Sequence, residues 1–128
     1  MLYPPFPSGL LSKRKKLRRE LLASGRDFLD KKIAILGGST THDVKDALEL
    51  FLLDAGIRPA FYESEYNQYW QDAMFPNPEL EAFAPDLIYI HTSCRNIARW
   101  PALSDTPEAV DALLEEEMER FSAMWDRL

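Results

Sequence analysis

The stretch Lys32-Ile33-Ala34-Ile35-Leu36-Gly37-Gly38 decides which fold the sequence predicts. Its apolar run is short and unbroken, which is typical of a strand covered on both faces in a parallel sheet. An apolar helical stripe over residues 44–55 follows, and Gly56 ends that helix. A second strand over Ile57–Glu63 comes next, so the order of elements is that of a βαβ unit.

Three further helices and a third strand are predicted around this unit. A first helix over residues 10–24 precedes it and ends at Gly25, which supplies a left-handed stop. Short helices over residues 66–74 and 79–84 then lead to a third strand, Leu87–His91. Each strand is therefore separated from the next by at least one helix, as parallel strands require.

The last predicted helix begins at Thr106-Pro107-Glu108, because Thr caps a helix and Pro suits its first position. Its apolar stripe continues to the C-terminus and is interrupted only by Glu117. The stripe comprises Val110, Leu113, Leu114, Glu117, Met118, Phe121 and Trp125. Together the elements predict an α/β fold with an open parallel sheet of about three strands and a flavodoxin-like three-layer architecture. Since doubly wound domains generally have about five strands, we expect the sheet to be incomplete.

Composition fits one globular domain. The chain has 128 residues, of which 46% are hydrophobic, and its single cysteine, Cys94, allows no internal disulfide. Residues 1–9 are a proline-rich lead-in, and the positive charges follow this segment, whereas in a signal peptide they precede the apolar run. No apolar run in the sequence has the length of a membrane span. We therefore expect residues 10–128 to form a cytoplasmic domain that binds no membrane.

The net charge of -6 conceals a basic N-terminal arm. Residues 1–26 contain seven Lys or Arg against Glu20 alone, which gives +6 and leaves -12 for the remaining residues. Clustered cations bind nucleic-acid phosphates, but they also rest on acidic neighbouring surfaces. Because no aromatic residues are interleaved with these cations, we favour the second interpretation and expect no nucleic-acid partner.

Ligands of open parallel sheets bind outside the carboxyl ends of the strands. That rule selects the loops over residues 37–41, 63–68 and 91–96. A polar loop with large rings, such as residues 63–68, suits recognition, although the same residues also suit a helix start. The candidate substrate-binding or anion-binding residues are Gly37, Gly38, Thr40, Thr41, Asn67, Gln68, His91, Ser93, Arg95 and Asn96.

The first of these loops, Gly37-Gly38-Ser39-Thr40-Thr41, allows three interpretations. It joins a strand to a helix N-terminus, which attracts anions, although it lacks the Lys of a P-loop. Ser39 is a candidate nucleophile if a histidine accepts its proton, and His91 is better placed for that than His42. Alternatively Ser39 and Thr40 only cap the helix, with Thr40 and Asp43 forming a capping-box pattern.

Four stretches resemble the N-terminal domain of FkbH-like proteins in order and spacing. They are residues 33–41 (IAILGGSTT), 49–57 (ELFLLDAGI), 62–70 (YESEYNQYW) and 88–93 (IYIHTS). The resemblance implies a domain similar to SGNH hydrolases, followed in full-length relatives by a catalytic domain of the haloacid dehalogenase (HAD) superfamily, subfamily IIIC. Such proteins load a glyceryl unit from a phosphorylated glycerate onto an acyl carrier protein in polyketide biosynthesis.

The resemblance places the family's chemistry outside this sequence. Its catalytic motif is Asp-x-Asp with magnesium, and no Asp-x-Asp occurs here, so the HAD domain is expected to be absent from the chain and no cofactor is expected within it. Gly37-Gly38-Ser39 takes the place of the hydrolase Gly-Asp-Ser block, which puts Ser39 at the nucleophile position and Gly38 in place of Asp. Thr92-Ser93-Cys94-Arg95-Asn96 takes the place of the Gly-x-Asn-Asp block, and the Asp and His of the last block would lie beyond Leu128.

Three functions remain open from the sequence. The first is a recognition or scaffolding domain that serves an acyl carrier protein or the missing catalytic domain. The second is an SGNH-like serine esterase or acyltransferase that uses Ser39, and a small-anion binding module is a third. An incomplete sheet also predicts that two copies could pair through its exposed edge.

Overall fold

The computed structural model describes residues 9–128, so the predicted lead-in lies outside the described residues except for Gly9. Within residues 9–128, no helix combines the length and the apolar character needed to cross a membrane. A 3-10 turn, Cys94–Asn96, lies between the last strand and the last helix. The other elements are α1 (Arg14–Leu22), β1 (Leu29–Gly37), α2 (His42–Asp54), β2 (Ile57–Glu63), α3 (Tyr69–Met74), α4 (Pro78–Phe83), β3 (Leu87–His91) and α5 (Pro107–Arg127).

The three strands form an open parallel sheet in the order β2-β1-β3. Leu29 pairs with Ile57 at the start of the β1–β2 ladder, and Gly37 pairs with His91 at the end of the β1–β3 ladder. The predicted fold class, an α/β domain with an incomplete parallel sheet, is confirmed. Within residues 9–128, no strand pairs with the outer edge of β2 or of β3.

The core lies on both faces of β1, which is the central strand. Ala34 and Leu36 are fully buried in a cluster with Tyr69 of α3, Leu80 of α4 and Met124 of α5. Because side chains alternate along a strand, Ile33 and Ile35 point to the opposite face. The buried side chains of α2, Leu50 and Leu53, belong to the helix layer on that opposite face. Helices thus cover both faces, and the sheet is the middle layer of three.

Several predicted boundaries are corrected by the structure. β1 begins at Leu29, three residues before the predicted start, because Leu29, Asp30 and Lys31 pair with β2 although they lie outside the apolar run. α1 begins at Arg14 and α3 at Tyr69, each later than predicted. Strand pairing extends β1 into a segment whose local pattern shows no strand.

The basic arm rests on acidic side chains of α2. Arg14 pairs with Asp46, and Arg18 Nε lies 2.6 Å from Glu49 Oε1. Arg26 donates a hydrogen bond of 2.6 Å to the backbone carbonyl of Asp54. The two ion pairs neutralise part of the charge of the arm within the domain.

Asn77 joins α4 to the sheet. Its Oδ1 accepts from the backbone N–H groups of Glu79 and Leu80, both at 3.1 Å, and so caps the helix. Its Nδ2 donates to Tyr62 Oη at 2.9 Å and to Asp72 Oδ1 at 3.0 Å. The amide therefore fixes the start of α4 relative to β2 and α3.

Replacing Asn77 by alanine is expected to lower the free energy of unfolding by about 1–2 kcal/mol, because the helix loses its cap and two polar partners lose a hydrogen bond. Urea unfolding followed by circular dichroism measures this. Asn77→Ser is the control, since it keeps a capping oxygen and should recover part of the loss. Equal stability of wild type and Asn77→Ala would contradict the prediction.

Candidate functional site

The candidate site lies at the carboxyl edge of the sheet, where β1 ends at Gly37, β2 at Glu63 and β3 at His91. Because the strands are parallel, the loops that follow them meet at one edge, as predicted. Hydrogen bonds join all three loops. The sequence could place these loops at one edge, but it could not say which side chains hold them together.

Backbone hydrogen bonds fix the loop after β1. The N–H of Gly37 donates to Ser64 Oγ at 2.7 Å, and Ser64 is buried. The N–H of Gly38 donates to the His91 carbonyl at 2.8 Å. These two N–H groups serve the fold, so neither is available to an anion or an oxyanion.

Asn96 connects the three loops. Its Nδ2 donates to the Gly38 carbonyl at 2.9 Å and to Asn67 Oδ1 at 3.3 Å. Its Oδ1 accepts from the backbone N–H of Ser93 at 2.9 Å, which closes a capping box around the 3-10 turn. Asn67 itself adopts a left-handed conformation with φ of 57°. The predicted residues Gly38, Asn67, Ser93 and Asn96 are therefore brought together by one amide.

Both glycines of the loop are required by close packing. A Cβ on Gly38 would lie 2.4 Å from each polar atom of the Asn96 amide. A Cβ on Gly37 would lie 2.7 Å from Thr41 Cγ2 and 2.9 Å from the Ser39 carbonyl. No larger residue fits at position 38 while Asn96 holds this position.

Ser39 has no catalytic partner in the described part of the chain. Among residues 9–128, its hydroxyl makes no hydrogen bond. His42 Nε2 lies 3.5 Å from Asp46 Oδ2 on α2, and His91 Nδ1 lies 3.0 Å from the Tyr89 hydroxyl. Neither histidine is hydrogen-bonded to Ser39, so the structure holds no preformed nucleophile and base.

The predicted cap of α2 is wrong in its position. Thr41, not Thr40, is the N-cap residue, and its side chain makes no capping hydrogen bond. Thr41 is buried, and its methyl carbon would contact any side chain at Gly37. Helix-cap preference predicted the cap one residue too early, and it did not predict the close contact between Thr41 and Gly37.

The remaining predicted residues lie at the rim of the site. Gln68 is the N-cap residue of α3 without a capping side chain, and Ser93 Oγ accepts from the Arg95 N–H at 3.3 Å. Arg95 and Cys94 are exposed. Arg95 makes no ion pair among residues 9–128. It is thus a free cation at the edge that could meet an anionic partner.

A partly buried ion pair on α5, which sequence analysis missed, holds the backbone of Asn96 in place. Arg120 donates to the Asn96 carbonyl at 2.6 Å and to Tyr69 Oη at 3.2 Å. Its guanidinium also lies 5.1 Å from the centroid of the Trp70 ring. Glu117 accepts from Arg120 at 2.9 Å and from the N–H of Ala98 at 2.9 Å. The one signal in the sequence was the interruption of the apolar stripe by Glu117.

The charges of this pair stabilise each other. Burial raises the pKa of the Glu117 carboxyl, but hydrogen bonds from Arg120 and from the Ala98 N–H outweigh it and hold the pKa below its usual range. Burial likewise opposes the charge of Arg120, while its hydrogen bonds to Glu117 and Tyr69 raise its pKa. Both groups remain charged at neutral pH.

Within residues 9–128, no three His, Cys, Asp or Glu side chains converge to hold a metal ion. The carboxyl edge carries amides, hydroxyls, the exposed Arg95 and two carboxylates, Glu63, which pairs with Lys45 at 3.4 Å, and the exposed Glu65. Such groups can bind and orient a polar partner.

Comparison with known proteins gives one informative likeness. No protein-family model and no curated protein matches the sequence. A crystal structure of the N-terminal part of the protein BF1531 from Bacteroides fragilis, which contains a phosphatase domain complexed with Mg, is similar with a TM-score of 0.65 and 22% identity. The match covers 87% of this chain and 29% of that chain. It shows a shared fold, and the chain spans less than a third of the length of that relative.

Proposed function

We propose that the chain is a recognition or scaffolding domain of the FkbH-like kind, which supports transfer of a glyceryl or similar phosphorylated three-carbon unit to an acyl carrier protein. The observation that carries this proposal is the shared fold with the N-terminal part of a protein that contains a phosphatase domain. Residues 33–41 and 62–70, on which the FkbH-like resemblance rests, form the ends of β1 and β2 at the carboxyl edge.

The geometry of the edge favours recognition over catalysis. The N–H groups of Gly37 and Gly38 and the amide of Asn96 are occupied by internal hydrogen bonds. The exposed groups are those of a binding surface, because Tyr66 is 72% exposed and Arg95 offers an unpaired cation. An arginine suits a phosphate or carboxylate, and a tyrosine adds contact area with one polar end.

A reconstituted loading reaction tests the proposal. A HAD-type catalytic domain of an FkbH-like protein, a holo carrier protein and a phosphorylated glycerate are combined with and without this chain, and loading is followed by intact-protein mass spectrometry. We expect the chain to accelerate loading, and Arg95→Glu to reduce that acceleration about tenfold through loss of charge-assisted contacts. Lys15→Glu, an exposed charge reversal on α1, is the matched control. An unchanged loading rate on adding wild-type chain would contradict the proposal.

Replacing Ser39 by alanine is expected to leave both loading and p-nitrophenyl acetate hydrolysis unchanged, because no histidine accepts a proton from Ser39. Initial rates of wild type and Ser39→Ala at equal protein concentration measure this. A wild-type hydrolysis rate that falls to the buffer rate in Ser39→Ala would instead support the serine esterase that the sequence left open.

A further inference from the structure

Helix α5 exposes an apolar stripe to solvent. Val110 is 37% exposed, Leu114 62%, Met118 53% and Trp125 54%, while Phe121 is half-buried with its ring 6.1 Å from that of Trp125. Spacings of four and three residues place these side chains on one face of the helix. At 1.5 Å per residue the stripe is about 22 Å long.

The face of α5 that packs on the domain is the more polar one. Leu113, Glu117, Arg120 and Met124 follow each other at helical spacing, and of these Met124 alone is fully buried in the core. The ion pair of Glu117 and Arg120 occupies the middle of this face. A surface helix normally turns its apolar stripe inward, so the reversed arrangement indicates that another surface covers the exposed stripe.

A row of carboxylates runs along the side of the stripe that faces away from the domain. At 100° per residue, Asp111 and Glu115 fall next to the stripe and the other carboxylates lie farther round the helix, and the same side carries no Lys or Arg. All of them are exposed, and none forms an ion pair among residues 9–128. They are Glu108, Asp111, Glu115, Glu119 and Asp126.

The stripe ends beside a recess with apolar and polar walls. A cavity of about 360 Å³ is lined by Leu87 and Ile90 of β3, by Trp125 and Leu128 at the end of α5, and by the carboxylate residue Asp86. Leu87 is 55% exposed on β3, an edge strand whose outer side has no strand partner within residues 9–128. The recess therefore offers a place for one large apolar side chain at the end of the stripe.

We infer that the α5 stripe is a docking surface for an amphipathic, basic protein segment. Its apolar residues would cover Leu114, Met118 and Trp125, and its Lys or Arg side chains would lie against the carboxylate row. Charge complementarity selects this occupant, because the row repels anionic lipid and also repels the identical acidic helix of a second copy. This docking surface lies on a different part of the domain from the carboxyl edge and does not depend on the function proposed for that edge.

Two synthetic helical peptides with the same leucine face test the inference, one with Lys and one with Glu along its flanks. Each is titrated into the full chain, and binding is measured by calorimetry and by tryptophan emission, to which Trp125 contributes together with Trp70 and Trp100. We expect the Lys peptide to bind at least about tenfold more tightly than the Glu peptide, with a blue shift of the emission. The double variant Leu114→Ser and Met118→Ser should weaken binding about tenfold or more.

The matched control changes two exposed alanines on another side of the helix, Ala112→Ser and Ala123→Ser, and should bind as wild type does. Circular dichroism establishes that both double variants fold. Equal affinity for the two peptides, or equal loss in the control, would overturn the inference. So would a dimer in sedimentation equilibrium that Leu114→Ser and Met118→Ser dissociates, because a second copy would then cover the stripe.

Discussion

Gly38→Ala is expected to lower the free energy of unfolding by about 2–3 kcal/mol, although the substitution adds a single methyl group. The new Cβ would lie 2.4 Å from the amide of Asn96, so that amide must leave its place. Its hydrogen bonds to the Gly38 carbonyl, to Asn67 and to the Ser93 N–H would be lost together. The three loops of the carboxyl edge would then separate.

A double-mutant cycle with Asn96→Ala measures the cause of this loss. Urea unfolding of wild type, both single variants and the double variant gives four free energies of unfolding. If the clash with Asn96 is the cause, Gly38→Ala should cost much less once Asn96 has been shortened to alanine. An equal cost of Gly38→Ala in both backgrounds would show that the backbone of the loop, and not Asn96, requires the glycine.

The central part of the fold could be predicted because its signals are local. The apolar run that ends at Gly37, the strands Ile57–Glu63 and Leu87–His91, and the Thr106-Pro107 helix start all lie in short windows of sequence. β1 could not be bounded in the same way, because its first residues are held by pairing with β2. Strand pairing depends on residues far apart in the chain, and a local pattern does not contain it.

The sequence located the candidate site at one edge of the sheet, but it did not determine the side-chain contacts within the site. The parallel order of the strands places three loops at one edge, and the hydrogen bond between Asn96 and Gly38 joins residues 58 positions apart. Sequence analysis made Ser39 a candidate nucleophile and Asn96 a candidate binding residue, whereas the structure leaves the Ser39 hydroxyl without a hydrogen bond among residues 9–128 and makes Asn96 the centre of a network. The difference arises from side-chain geometry, which residue types and spacing do not determine.

The orientation of α5 is a second feature that the sequence did not determine. Sequence periodicity identified the helix correctly, and it placed Leu114, Met118 and Trp125 on the apolar stripe. It treated Glu117 as an interruption of a core face. The structure instead turns the face that carries Glu117 toward the domain and exposes the stripe. On the inward face Glu117 accepts from the N–H of Ala98, and Arg120 donates to the carbonyl of Asn96.

Removing the charge of Arg120 is expected to have the largest effect of the substitutions considered. Arg120→Met should lower the free energy of unfolding by about 3 kcal/mol, because Glu117 would keep a poorly solvated charge and the Asn96 carbonyl would lose its donor. The side chains of Glu117 and Arg120 are only 13% and 21% exposed, so water replaces the lost partner poorly. Urea unfolding of both proteins at neutral pH measures the difference.

The double variant Arg120→Met with Glu117→Leu shows how much of the stability loss comes from the unpaired charge of Glu117 and how much from lost packing of Arg120. Replacing both partners by apolar groups of similar size leaves no unpaired charge, so the double variant should be more stable than Arg120→Met alone. The matched surface control is Arg99→Met, which removes an exposed ion pair with Glu116 and should change stability by less than about 1 kcal/mol. A double variant less stable than Arg120→Met would contradict the role assigned to the unpaired Glu117.

Glu117→Gln is expected to be less stable than wild type at neutral pH, and the difference should shrink in acid. The pKa of Glu117 in the folded protein lies below its ordinary value of 4.5, so the unfolded chain takes up a proton first as pH falls. The carboxylate therefore contributes its full stabilisation above the ordinary pKa and loses it as pH falls through the lower folded value. Urea unfolding of both proteins at about pH 7, 5 and 3.5 measures this. A difference that stays constant over that range would show that the packing of residue 117, and not its charge, supports the Asn96 loop.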